Sequence, residues 1–417
     1  MTVDGSVLRE LRQRAGVGLR RIAGAAKVPV SDGHLSRVER GLRPVTPAIV
    51  AAYEKALGVR VHEAMADGGS GSLDRSRRQS FTSMVATVAV GGPAGEPVER
   101  LLAAAGGAAA VPARVGGSDA VHLEEAAALV RRLDLGSGGG LAWQMGSGLL
   151  RWAVRLRRVA TSGEVRLRLD RAVGALAAGT AWAAVDAGRH AAARALFTVA
   201  LEAAVQTGDV DLRGHVLAEV GAHYNLTGHP EECLTVVRLA DGDERIGAAV
   251  RHVLHGVRAH AYARRRDADG CTRHIRLAEE AAAAVEPAAV PAWMGQFHPA
   301  HAAAVTGHAA AVLACATGDN AALVDAHKRL MRAADGLPGT GRCRALALCR
   351  IRLAMLHLAA DEPAQATCLA RQALDSAAGL RSCRVERALA ALHACVVARP
   401  GDPAMSELAE RITAMAA

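Results

Sequence analysis

At 417 residues the chain is long enough for more than one domain. Half of it is hydrophobic (51%) but only 2% is aromatic and alanine dominates, which argues against a strand-rich fold and for closely packed helices. Net charge is +9, and residues 1–80 hold fourteen Lys/Arg against eight Asp/Glu, a net of +6, so the basic excess sits at one end, as phosphate binding requires.

A helical pattern begins at Val7, so no signal peptide is expected, and no long uncharged apolar run is read as a membrane span. The eight cysteines all follow residue 230 without a Cys-x-x-Cys pair. They read as reduced thiols serving as small core residues in a cytoplasmic protein.

Val7, Leu8 and Leu11 space a first helix ending near Gly16, and Leu19, Ile22, Ala23 and Ala26 space a second. Ser31-Asp-Gly-His-Leu-Ser-Arg-Val-Glu-Arg-Gly41 then reads as a short third helix. Ser31 or Asp32 caps its start, because their side-chain oxygens accept orphan backbone N–H groups, and Gly41 suits its stop. Leu35 and Val38 share one face, while His34, Arg37 and Arg40 share the opposite one. A helix this short is not stable alone in water, so Leu35 and Val38 must lie on other helices and leave a basic outer face. Thr46-Pro47 starts a fourth helix, with Ile49, Val50, Tyr53 and Leu57 on one face and Gly58 closing it.

This stretch, about Val7 to Val59, resembles the λ-repressor-like helix-turn-helix of the Cro/C1 (XRE) type of bacterial regulator, most specifically in His34-Leu-Ser-Arg-Val-Glu-Arg-Gly41. The resemblance implies that Glu39 pairs with Arg12 of the first helix. It also makes the third helix the reader of a major groove, with Gly33, His34 and Arg37 near base edges and Ser31, Asp32 and Ser36 beside them. Arg20, Arg21, Arg40 and Arg43 would touch phosphate. Two departures stand out. Gly18-Leu19 occupy the positions of the family's usual Ser-Gln phosphate contact, and the turn from Lys27 to Asp32 is two residues longer.

Asp67-Gly-Gly-Ser-Gly-Ser72 reads as linker, Phe81–Val90 as a short apolar segment, and Pro97–Ala105 as a helix in a loose zone. Gly136-Ser-Gly-Gly-Gly140 reads as a loop; it lacks the strand before and the Gly-Lys-Ser/Thr after that a phosphate-cradling loop needs. Helix-breaking spots then recur at Gly188, Gly228, Arg266, Gly318, Asp361 and Pro400, mostly at steps of about 38 to 43 residues. Two helices per period with a tight turn between them describe a helical-hairpin solenoid, and from Val165 to Ala417 the pattern resembles degenerate tetratricopeptide repeats. The fold class expected is all-α: residues 1–65 the helix-turn-helix domain, 66–118 a linker with the apolar segment, 119–417 the helical sensor and dimerisation domain.

The seventeen histidines carry no His-Glu-x-x-His, and His252, His255, His260, His298, His301 and His308 read as surface or groove residues, as does His274 beside Cys271. No hydrolase signature occurs, so no enzyme, cofactor or metal is expected. A concave face lined by the first helix of each hairpin is expected to bind a ligand. Trp182, His223, Tyr224, Asn225, Tyr262, Trp293, Phe297 and His298 are the candidates, because large or amide side chains are rare here. Trp182 and Tyr224 fit a core role equally well.

The combined resemblance implies a homodimeric, ligand-responsive transcriptional regulator of a palindromic duplex operator, its effector a small molecule, peptide or partner protein. The competing reading is a helical-repeat interaction scaffold whose helix-turn-helix does not bind DNA.

Overall fold

A computed structural model shows an all-helical chain, with eighteen α-helices and no strand among the described residues. These are residues 17–26, 30–40, 43–57, 71–90 and 114–416, apart from 160, 296, 400 and 401, with Gly5, Leu8, Arg9 and Arg12 ahead of them. Val7, Leu11 and Gly16 of the expected first helix, Lys27–Pro29 of the long turn, Gly41, Gly58, the linker residues before Gly71 and the helix expected at Pro97–Ala105 lie outside the described residues. The chain divides into two compact units, Met1–Ser83 and Met84–Ala417.

In the first unit, α1 (Leu19–Ala25), α2 (Asp32–Glu39) and α3 (Pro47–Leu57) share a small core of Leu8, Ile22, Leu35, Val38, Ile49, Ala52 and Tyr53. Ser31 caps α2, its hydroxyl accepting from the His34 amide at 3.2 Å. Thr46 accepts from the Ile49 amide at 3.4 Å ahead of Pro47, the first residue of α3.

α4 (Gly71–Ala89) runs as one helix through residues expected as linker and apolar segment. Of the expected linker only Gly71 and Ser72 lie in it, and the apolar segment forms its last turns; Ser72–Ala89 contains no glycine or proline to stop a helix once it has started. Its last turns belong to the second unit, where Val85, Val88 and Ala89 are buried. There Thr198 donates to Met84 Sδ at 3.9 Å and Arg213 to the Ala89 carbonyl at 3.3 Å.

The second unit, the body, is a series of helical hairpins. α5 (Gly117–Ser137) pairs with α6 (Gly139–Leu156), α7 (Gly163–Asp186) with α8 (His190–Thr207), and α9 (Val210–Leu226) with α10 (Pro230–Val237). α11 (Ala248–Arg264) pairs with α12 (Ala268–Ala283), α13 (Pro299–Thr317) with α14 (Asn320–Gly336), α15 (Cys343–Ala359) with α16 (Pro363–Ala377), and α17 (Cys383–Val397) with α18 (Pro403–Ala416). Five of the helix-breaking spots read from sequence, Gly188, Gly228, Arg266, Gly318 and Asp361, are the turns inside five of these pairs, and Pro400 lies outside the described residues. In all five turns the same left-handed position recurs, filled by these residues at φ of 58° to 87°. Aspartates at 267 and 319 then cap the second helix of their pair.

The stretch Gly136–Gly140, expected as a loop, is helical except at Gly138. Gly138 has φ +86°, and a Cβ there would lie 2.4 Å from the Arg381 carbonyl oxygen. The glycines therefore let two helices meet at one residue and another segment approach them. The Arg381 amide donates to the Ser137 carbonyl at 3.0 Å, and α15 packs against α5. The hairpin series thus folds back on its own first pair.

The joint is held by buried charge. Arg344 donates to both carboxylate oxygens of Asp134 at 2.8 and 2.7 Å and to Asp186 at 2.9 Å. Asp186 also accepts from the Gly139 amide at 2.9 Å and the Ser382 hydroxyl at 2.7 Å. Burial alone would push the Asp186 carboxyl up, but the charges of Arg344 and Arg384 and these hydrogen bonds outweigh it and hold it low.

Two expectations need correction here. Pro299–Thr317 is 19 residues long and apolar enough to cross a membrane by length and composition, although no such run was expected. Its two histidines and small residues hide the pattern, and it packs between α11 and α14. The cysteines are not uniformly core: Cys233, Cys271 and Cys349 are buried, whereas Cys315, Cys343 and Cys368 are exposed, because alanine supplies most of the close contacts.

Candidate nucleic-acid interface and body cavity

In the first unit the inward side of α2 is fixed. Leu35 and Val38 are fully buried, and Glu39 beside them is buried and charged. Arg12 Nε and Nη2 donate to the two Glu39 oxygens at 2.6 and 2.8 Å, and the Tyr53 hydroxyl donates to Oε1 at 2.7 Å. Arg12 Nη1 also donates to the Val17 carbonyl at 3.0 Å. Arg12, α2 and α3 are thereby tied to one carboxylate. Burial would raise the Glu39 carboxyl, yet the hydrogen bonds from Arg12 and Tyr53 hold it below its ordinary 4.5.

The outward side carries the residues expected to meet DNA. Arg37 and Arg40 are exposed, their Nε atoms each donating to a carbonyl four residues back, Gly33 and Ser36, at 3.2 Å. His34, Ser36 and Asp32 are half-buried beside them, with Ser31 and Gly33 exposed at the start of the helix. A Cβ at Gly33 would meet nothing closer than 4.0 Å, so this end of the helix is open to an approaching surface. Arg20, Arg21 and Arg43 are exposed as well, and Arg20 stands 3.8 Å from Asp32, its side chain 96% accessible.

In the body the first helices of the hairpins surround a cavity of about 260 Å³. Each gives one stripe at helical spacing: His215, Ala218, Ala222 and Asn225 from α9, His252, Gly256 and His260 from α11, and His301, Val305 and His308 from α13. No second helix of a hairpin contributes. The connection between α12 and α13 forms one wall through Val290, Met294, Phe297 and His298. The cavity lies on the inner face expected of the first helices, and α5 and α15 both contribute to its wall.

The eight candidate ligand residues separate. Trp182, Asn225, Phe297 and His298 line the cavity, and Trp293 packs on His215 at 5.0 Å between ring centres. Asn225 donates to the Val257 carbonyl at 2.9 Å, fixing its amide. Tyr224 is core, His223 is buried against His190 at 3.2 Å, and Tyr262 stacks on His274 at 5.3 Å. These three point away from the cavity stripe because they fall one position off its three-to-four spacing.

Charged residues were missed. Arg131 donates to Glu219 at 3.0 Å, and its Nη2 lies 2.8 Å from His215 Nε2 on the cavity wall. Burial pushes the Glu219 carboxyl up, but His215 and Arg131 outweigh it and keep it ionised. Arg342, Arg344, Arg352 and Arg384 also reach the space. Burial pushes His260 and His301 down to about 3, with neighbouring arginines acting in the same direction, so these rings are neutral. Arg344, Leu348 and Arg352, four residues apart on an alanine- and leucine-rich helix, were the legible signal.

Among known families, a helix-turn-helix domain matches residues 5–66. No curated protein matches the chain. Residues 5–66 therefore form a helix-turn-helix domain, the kind of domain that points to a DNA-binding regulator.

Proposed function

We propose that this protein is a sequence-specific DNA-binding transcriptional regulator of the XRE type, with a tetratricopeptide-like body that dimerises and senses an effector in the cytoplasm. The observation that carries the reading is α2 itself: a helix pinned from below by Leu35, Val38 and the Glu39 carboxylate, presenting Arg37 and Arg40 outward. Arg37 reads a guanine through its planar fork, and Arg20, Arg21, Arg40 and Arg43 set register on phosphate. A dimer places two such helices on half-sites ~34–36 Å apart, or a multiple of that distance. An effector that prefers one arrangement of the hairpins shifts that spacing, and one that binds both equally does nothing.

The experiment compares Arg37→Ala with Arg40→Ala on duplexes varied one base pair at a time. Arg37→Ala is expected to lose ~1–3 kcal/mol and relax preference at one position. Arg40→Ala is expected to weaken all sequences alike and flatten the salt dependence. Uniform weakening by Arg37→Ala would overturn the base-reading role.

A further inference from the structure

The body cavity holds more positive charge than its own acids balance. Of the five arginines that reach it, Arg131 is paired with Glu219, and Arg344 with Asp134 and Asp186. Among the described residues, Arg352 and Arg384 have no carboxylate within 4.0 Å. Arg352 Nη1 reaches only the Leu348 carbonyl of its own helix, at 3.5 Å. The Arg384 Nε has no hydrogen-bond partner, and its guanidinium stands 5.1 Å from the centre of the Trp182 ring.

The same two arginines act together on one wall. Burial drives His260 and His308 down, and Arg352 and Arg384 push both further. Burial also pushes the Arg384 guanidinium down to about 10. Nδ1 of His301 and Nδ1 of His308 are buried without a partner, as are three acceptors: Nε2 of His252, whose Nδ1 proton goes to the Ala278 carbonyl, Oδ1 of Asn225 and Oε2 of Glu219. Two half-buried cations with no carboxylate within 4.0 Å, the neutral imidazoles of His301 and His308 and the Trp182 ring are a poor arrangement for an empty space, because charge withdrawn from water without a partner is costly. They suit an entering anion, since a guanidinium fork grips carboxylate or phosphate oxygens and imidazole N–H groups can add hydrogen bonds.

Size and lining narrow the occupant. About 260 Å³ lies just under the ~300–1,000 Å³ of pockets for drug-sized ligands. Val253, Val257, Val305 and Leu348 give most of the wall an apolar character, with Phe297 and Trp182 at its aromatic patches. We propose that this cavity binds a small organic anion, its carboxylate or phosphate held by Arg352 and Arg384 and its apolar part packed against Trp182 and Phe297. The proposal names the effector class for the regulator read above and rests on that reading only for its consequence, not for the site.

The test is calorimetric titration of the purified full chain with phenyl phosphate, benzoate, inorganic phosphate and neutral benzamide. Saturable one-to-one binding of phenyl phosphate or benzoate, with benzamide at least tenfold weaker, is the expected result. Which of the two anions binds more tightly identifies the head group. Arg384→Met and Arg352→Met are each expected to weaken binding at least tenfold, while Arg273→Met on the exposed side of α12 leaves it unchanged. Ligand-free Arg352→Met is expected to melt higher than the parent, since a charge with no carboxylate partner is gone; a lower midpoint would assign Arg352 a purely structural role and contradict the proposal. Equal binding of benzamide, binding unaffected by both substitutions, or no binding of any probe at millimolar concentration would each overturn it. Anion binding that leaves affinity for a selected duplex unchanged supports the site and overturns instead the sensing role of the body.

Discussion

Replacing Glu39 by glutamine tests how α2 is held. The carboxylate accepts two N–H groups from Arg12 at 2.6 and 2.8 Å and the Tyr53 hydroxyl at 2.7 Å. An amide keeps one acceptor but turns an NH2 group towards one guanidinium nitrogen, and it removes the charge. Breaking one side of a buried ion pair costs ~3–5 kcal/mol. Arg12 is 15% accessible against 4% for Glu39, so water softens the loss and about 3 kcal/mol is the expected figure. A domain of this size has only about 3–9 kcal/mol in total. Hydrogen exchange on the full chain reads the effect locally. Amides of Leu35 and Val38 should exchange on the order of a hundredfold faster, because every 1.4 kcal/mol is about tenfold, while those of α11 should not change. Arg12→Met with Glu39→Met together should recover most of the protection, since a well-packed apolar pair can replace a buried ion pair. Exchange in Glu39→Gln within about threefold of the parent would refute the idea that this carboxylate pins the helix.

The other predictions follow the same physics. Arg344→Met leaves Asp134 and Asp186 buried without their cation, so the body should lose ~3–5 kcal/mol, read as a lower melting midpoint. Gly138→Ala forces a Cβ to within 2.4 Å of the Arg381 carbonyl at φ +86°, and should cost at least ~1–3 kcal/mol in the same assay. Arg266→Gly relieves a left-handed arginine at φ 59° and should raise the midpoint by about 1 kcal/mol in stability. For pH, His260 and His301 sit near 3 when folded against an ordinary 6.5. The unfolded chain therefore binds more protons between those values, so body stability should be complete above 6.5 and fall as pH drops towards 3. In the first unit the sign comes from Glu39, held below 4.5: its contribution is present above 4.5 and is lost as pH falls through the lower folded value.

Much of this was legible because helices announce themselves locally. Ser31, Leu35 and Val38 carried a cap and an inward face within about two turns, and the structure uses all three as the spacing implies. The hairpin turns were legible for the same reason: Gly188, Gly228 and Gly318 are residues that accept a positive φ. Closure of the body was not legible. It depends on Arg344 meeting Asp134 across 210 residues, and a charged residue in a helix gives no local sign of whether it faces water or a distant partner. That missing contact is also why the residues lining the cavity were only partly legible. Trp182 and Phe297 stood out by rarity in an aromatic-poor chain, whereas Arg384 is one of fifty Lys and Arg and has no such distinction. The rule that first helices line the inner face held, and His252, His260, His301 and His308, read as surface or groove residues, line the cavity.

The central claim is that α2 reads DNA sequence. Its most direct test is selection from random duplexes by the purified full chain at near-physiological salt, repeated with phenyl phosphate present. Recovery of a two-fold symmetric site in either condition, with half-sites one helical turn or a multiple apart and a guanine whose preference disappears in Arg37→Ala, is the predicted result. A pool that stays random in both conditions, or a site unaffected by Arg37→Ala, would contradict it.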